Sequence, residues 1–67
     1  MATNYKYNIG DRVTYLGGLY VEYKTKSGTI IAKSTRKGFN YYIVVFEDGK
    51  QMELRENWIA EVNANEL

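Results

Sequence analysis

Lys33, Arg36 and Lys37 stand close together in the chain, and Phe39, Tyr41 and Tyr42 follow them directly. Ammonium and guanidinium groups neutralise phosphates, while aromatic rings stack on bases or surround a cation. Lys24 and Lys26 add two cations upstream, beside Tyr20 and Tyr23. This is binding chemistry. The chain has no His and no Cys, so nucleophile–base pairs of the Ser–His or Cys–His kind cannot be built. Ser27 and Ser34 have no activating partner nearby in sequence. Glu47-Asp48 reads as part of a turn rather than as an acid–base pair. Gly17-Gly18 lacks the Lys-Ser/Thr that closes a phosphate loop. No enzyme, no cofactor and no metal site are expected.

Each cation and each ring also has a plainer use. Lysines in polar loops keep a domain in solution, and rings fill a core that is too small to be built from aliphatics. The 67 residues include seven Tyr. The net charge is +1, but residues 1–38 carry seven positive side chains against two negative, and residues 39–67 two against six. A local basic patch is therefore possible within a nearly neutral protein. That neutrality argues against strong nucleic-acid binding.

The elements that must position these residues follow from alternation and turn chemistry. A chain of this length forms one domain and buries only roughly 60% of its unfolded surface. Residues 1–8 read as an extension without a clear period. Arg12–Leu16 alternates as a strand with Val13 and Tyr15 on one face. Residues 19–27 read as a short strand or an extended arm. Thr29–Lys33 is a strand, and residues 34–40 a polar, basic loop. Tyr41–Phe46 is apolar on both faces, so it should be central or strongly bent. Tyr42, Val44 and Phe46 are expected inward, and Tyr41, Ile43 and Val45 outward beside Ile31. Asp48-Gly49 signals a tight hairpin, because Asp-Gly accommodates positive φ. Lys50–Leu54 returns with Met52 and Leu54 inward. A short 3-10 turn over 55–59 and a last strand over 60–62 follow, and residues 63–67 are expected to fray. No apolar run approaches the ~20 residues of a membrane span. The N-terminus has no secretory h-region, so a cytoplasmic protein is expected. The fold expected is all-β, with five short strands in a small barrel that leaves no exposed edge.

The order Ile9-Gly10-Asp11-Arg12-Val13, Gly28-Thr29-Ile30-Ile31, Tyr41–Phe46, Asp48-Gly49 and Trp58-Ile59 resembles the SH3-like barrel superfamily in its broad Tudor and KOW sense. The resemblance covers residues 9–62, and its motifs are short and specific to the barrel rather than to any one activity. It implies a five-stranded SH3-like barrel with one 3-10 turn before the last strand. It also implies a binding role, since such barrels include polymerase- and ribosome-binding modules and methyl-lysine readers. The size and the Cys-free, Asn- and Lys-rich composition also resemble small phage-encoded proteins.

Three roles are expected from these surfaces. The leading one is a protein-binding adaptor docking on a larger protein assembly through Tyr41, Ile43, Val45 and Ile31, with Tyr20 and Tyr23 from the adjoining arm. The alternative is a DNA- or RNA-binding module using Lys24, Lys26, Lys33, Arg36, Lys37 and exposed tyrosines. A small structural subunit or homo-oligomer is the third.

Overall fold

The computed structural model describes residues 4–62. Five strands form one antiparallel sheet in the order β4-β3-β2-β1-β5: β1 Arg12–Tyr15, β2 Ser27–Arg36, β3 Phe39–Phe46, β4 Gln51–Arg55 and β5 Ile59–Glu61. The hydrogen-bonded ladder ends at β4 and β5 and does not close into a barrel. Two 3-10 turns interrupt the connections, Val21–Tyr23 and Glu56–Trp58. No helix among the described residues is long and apolar enough to cross a membrane.

The organising strand is β2. Its first residues pair with β1, and from Gly28 to Arg36 it runs along β3. Serving both partners requires a bend, and the register shifts between Ile30 and Ala32, leaving Ile31 as the extra residue of a β-bulge. Ile31 is accordingly turned out, 43% exposed, while Ile30 is fully buried. Gly28 sits where β1, β2 and β3 converge. A Cβ there would lie 2.5 Å from the Val45 carbonyl oxygen, so this position is closed to any side chain.

Two turns differ from the sequence expectation. The basic loop over 34–40 does not exist. Strands β2 and β3 continue past it to a two-residue turn at Lys37 and Gly38, with φ of 52° and 83°. Positive φ at both positions matches the twist of the flanking strands, even though Lys is an uncommon choice there. At Asp48-Gly49 the reverse holds. Gly49 alone has positive φ, its N–H donates to the Phe46 carbonyl at 2.9 Å, and the Phe46 N–H donates to the Lys50 carbonyl at 2.9 Å. This is a type I turn followed by a left-handed Gly. The Asp48 carboxylate accepts from the Lys50 N–H and from the Tyr23 hydroxyl, which fixes it in that form.

The core holds Tyr7, Val13, Tyr15, Tyr23, Ile30, Tyr42, Val44, Phe46, Leu54 and Ile59. The inward alternation expected for Tyr15, Tyr42, Val44, Phe46 and Leu54 is what the structure has. Two core residues come from outside the strands. Tyr7 belongs to the expected extension, so the boundary between residues 8 and 9 does not separate that segment from the core. Tyr23 belongs to the expected arm, which instead folds back through the first 3-10 turn and sets the Tyr23 ring 4.9 Å from Phe46. The fraying expected over 63–67 falls outside the described residues.

Candidate functional site

Successive residues of a strand face opposite ways, and at the start of β3 this separates two kinds of chemistry. Asn40 and Tyr42 face inward. The Tyr42 ring is fully buried, and its hydroxyl donates to a carboxylate oxygen of Glu56. The same hydroxyl accepts from the backbone N–H groups of Lys6, at 3.0 Å, and Tyr7, at 3.1 Å. Glu56 also accepts from the Lys6 N–H and from the Asn40 amide. Burial, reinforced by the hydrogen bond to Glu56, pushes the Tyr42 hydroxyl up to about 12. Burial pushes the Glu56 carboxyl up as well, but the donors from Tyr42, Lys6 and Asn40 outweigh it and hold the group below the usual carboxylate range. This inner cluster is saturated and structural.

Phe39 and Tyr41 face outward, and each carries a guanidinium. Arg36 lies over the Tyr41 ring, and Arg55 over the Phe39 ring, both with the guanidinium carbon 4.1 Å from the ring centroid. The pairings come from register. Arg36 on β2 pairs with Phe39, and Arg55 on β4 pairs with Tyr41, so each guanidinium reaches diagonally to the next ring. Arg36, Lys37, Phe39, Tyr41, Arg55 and Trp58 together line an open hollow of about 500 Å³. A second hollow of about 310 Å³ lies alongside, with Phe39 and Arg55 as shared walls and Lys6, Asn40, Glu56 and Asn57 on its other sides. Three cations and three aromatic planes thus meet at one end of the sheet. Among the described residues no group of three or more metal-ligating side chains comes together.

The residues singled out from sequence are divided by the fold. Tyr41, Arg36 and Lys37 meet in the larger hollow. Ile43 and Val45 lie on the same outer face of β3 but are half-buried, flanked by Ala32 and Glu53 and by Thr29 and Gln51. The neighbour of Ile43 on β2 is Ala32 rather than Ile31, because the bulge displaces Ile31 from the register. Tyr20 is half-buried, and its N–H donates to the Tyr15 hydroxyl at 3.0 Å. Tyr23 is a correction: its ring is 8% exposed, packed in the core rather than open to a partner.

The five cations do not form one patch. Lys33 pairs with Tyr42 on the inner side, its ammonium 4.7 Å over Tyr5. Lys24 and Lys26 lie near the opposite end of β2 from Arg36 and Lys37. Lys26 there shares a hollow of mixed charge with Arg12, Glu47 and Asp48. Arg55 and Trp58 were absent from both sequence-based sets. The signal for Arg55 was its place opposite Tyr41, which depends on the turn at Asp48-Gly49. Compared with protein-family models, with curated proteins and with solved structures, the chain matches none.

Proposed function

We propose that this domain is a non-catalytic binding module that takes single-stranded nucleic acid across the outer face of β2, β3 and β4. One observation carries the reading: guanidinium groups and aromatic planes interleave on that face, Arg36 on Tyr41 and Arg55 on Phe39, with Lys37 and Trp58 beside them. Unpaired bases expose the flat surfaces that such planes stack on, at about 1–3 kcal/mol per base, and the adjoining cations take the phosphates. A duplex hides those surfaces. Three cations limit the electrostatic share, so log K should fall with log salt with a slope of about −2. The experiment is fluorescence anisotropy of a labelled single-stranded oligonucleotide at low and higher salt. Saturable, salt-sensitive binding that a matched duplex does not compete away supports the reading. Absence of binding at low salt rejects it.

The strand order, the bulged β2 shared by two neighbours and the 3-10 turn before β5 support an SH3-like assignment of the Tudor and KOW kind. In that assignment the bend of β2 wraps the sheet towards a small barrel.

A protein-binding adaptor is the second reading, and a different surface favours it. Leu19 and Val21 of the β1–β2 connection are 72% and 73% exposed, more than any apolar residue of β3, and Leu16 beside them is 50% exposed. Docking on a larger assembly would use that loop. Substituting Leu19 and Val21 by Ser should then abolish partner capture without affecting oligonucleotide binding.

A further inference from the structure

Arg36 is the best-placed phosphate ligand on the outer face and also the one already occupied. Its two terminal nitrogens meet the two carboxylate oxygens of Glu53 at 2.7 and 2.8 Å. The guanidinium is thus held by both nitrogens on a two-oxygen acceptor while its carbon lies over the Tyr41 ring. A phosphodiester presents the same pair of oxygens to the same fork. Among the described residues this is the only ion pair, and none of their carboxylates pairs with Arg55 or Lys37. The pair is open to solvent, with side-chain exposures of 52% and 39%, and exposed pairs are screened and exchange readily.

We infer that Glu53 stands in for a phosphate: an incoming phosphodiester displaces it from Arg36, and this one carboxylate sets how tightly the face holds a nucleic-acid strand. The inference rests on the nucleic-acid reading above. The exchange leaves the arginine where it is, because its guanidinium stays over the Tyr41 ring and only the partner in the fork changes. The freed carboxylate then faces the phosphate that replaced it. Glu53 therefore opposes binding twice, as competitor and as like charge. It faces outward on β4, opposite Ile43, so its removal leaves the core untouched.

The test compares the full chain with Glu53→Gln, Glu53→Ala and Glu61→Gln, titrated with one single-stranded oligonucleotide over a range of salt. Glu61→Gln changes net charge equally, but from the exposed end of β5. Both Glu53 variants should bind several-fold tighter than wild type, with the salt slope still about −2, because Arg36 meets a phosphate in each. Glu61→Gln should stay near wild type. If wild type binds and the Glu53 variants behave like Glu61→Gln, the exchange at Arg36 is wrong and the nucleic-acid reading stands. If neither wild type nor the Glu53 variants bind, the nucleic-acid reading fails and the exchange with it.

Discussion

Tyr41 and Tyr42 are neighbours in sequence and opposites in circumstance. Tyr42 is enclosed, its hydroxyl shared among Glu56 and two backbone N–H groups. Tyr41 lies half-buried on the outside with a guanidinium on its ring, and Phe39 repeats the arrangement two residues earlier. Inside, every polar atom is answered by the protein itself: no buried side-chain nitrogen or oxygen among the described residues lacks a partner. Outside, cations rest on rings that are open to solvent, and Arg36 can trade its carboxylate partner for a ligand. The same residue type thus builds the domain on one face of a strand and offers it for use on the other.

Removing the inner ring should break the domain. Tyr42→Ala empties the centre of the core at a cost of about 3–5 kcal/mol, the range for large aromatic truncations. That is most of the stability expected of so small a domain. Urea unfolding should show a largely unfolded chain, and a cooperative transition near that of wild type would contradict the role given to Tyr42. Tyr42→Phe is the milder form. It leaves the Tyr7 amide without its partner and takes one donor from Glu56, and should lower stability by about 1–3 kcal/mol while leaving the fold intact.

The outer ring should show the converse. Tyr41→Leu and Phe39→Leu should change stability by about 1 kcal/mol or less, as at other sites open to solvent. Each should weaken oligonucleotide binding about tenfold, the loss of one stacking plane. Equal damage to folding from Tyr41→Leu and Tyr42→Phe would erase the distinction between the two faces.

The last effect is a pH dependence to which Tyr42 and Glu56 of the inner face contribute. A tyrosine hydroxyl ordinarily sits at 10.0, and burial pushes that of Tyr42 up to about 12. Between those values the unfolded chain has released a proton that the folded one keeps, so stability should fall as pH rises from 10 to about 12. Glu56 works in the other direction. Its carboxyl is held below its ordinary 4.5, so its contribution is present above that pH and is lost as pH falls through the folded value. Thermal melts across pH should show both limbs, with a shallower alkaline limb in Tyr42→Phe. An unchanged alkaline limb would mean that Tyr42 is not the group responsible.

Alternation was enough to read the inner face. Tyr15, Tyr42, Val44, Phe46 and Leu54 lie where a period of two puts them, because half-buried strands leave little choice. The outer site was only partly legible, and turn geometry is the reason. A two-residue turn at Asp48-Gly49 would set Glu56 opposite Tyr41. The type I turn with its left-handed Gly shifts pairing by one and brings Arg55 there instead. Lys37 gave little sign that it would sit at positive φ, so Arg36 and Phe39 read as loop residues rather than as a facing pair. Tyr23 read as half of an alternating arm, and what draws it inward is Phe46 and Asp48, which local sequence does not show.

The anchoring of Lys6 and Tyr7 to Tyr42 and Glu56 also constrains how the chain acquires its structure during synthesis. Tyr7 leaves the ribosome 35 residues ahead of Tyr42, and Lys6 leaves 50 residues ahead of Glu56. The segment around Lys6 and Tyr7 therefore waits for partners that lie far downstream. Such long closures slow folding and favour a single late, cooperative step over gradual assembly. A nascent chain that stops short of Glu56 lacks the carboxylate that ties Lys6 down.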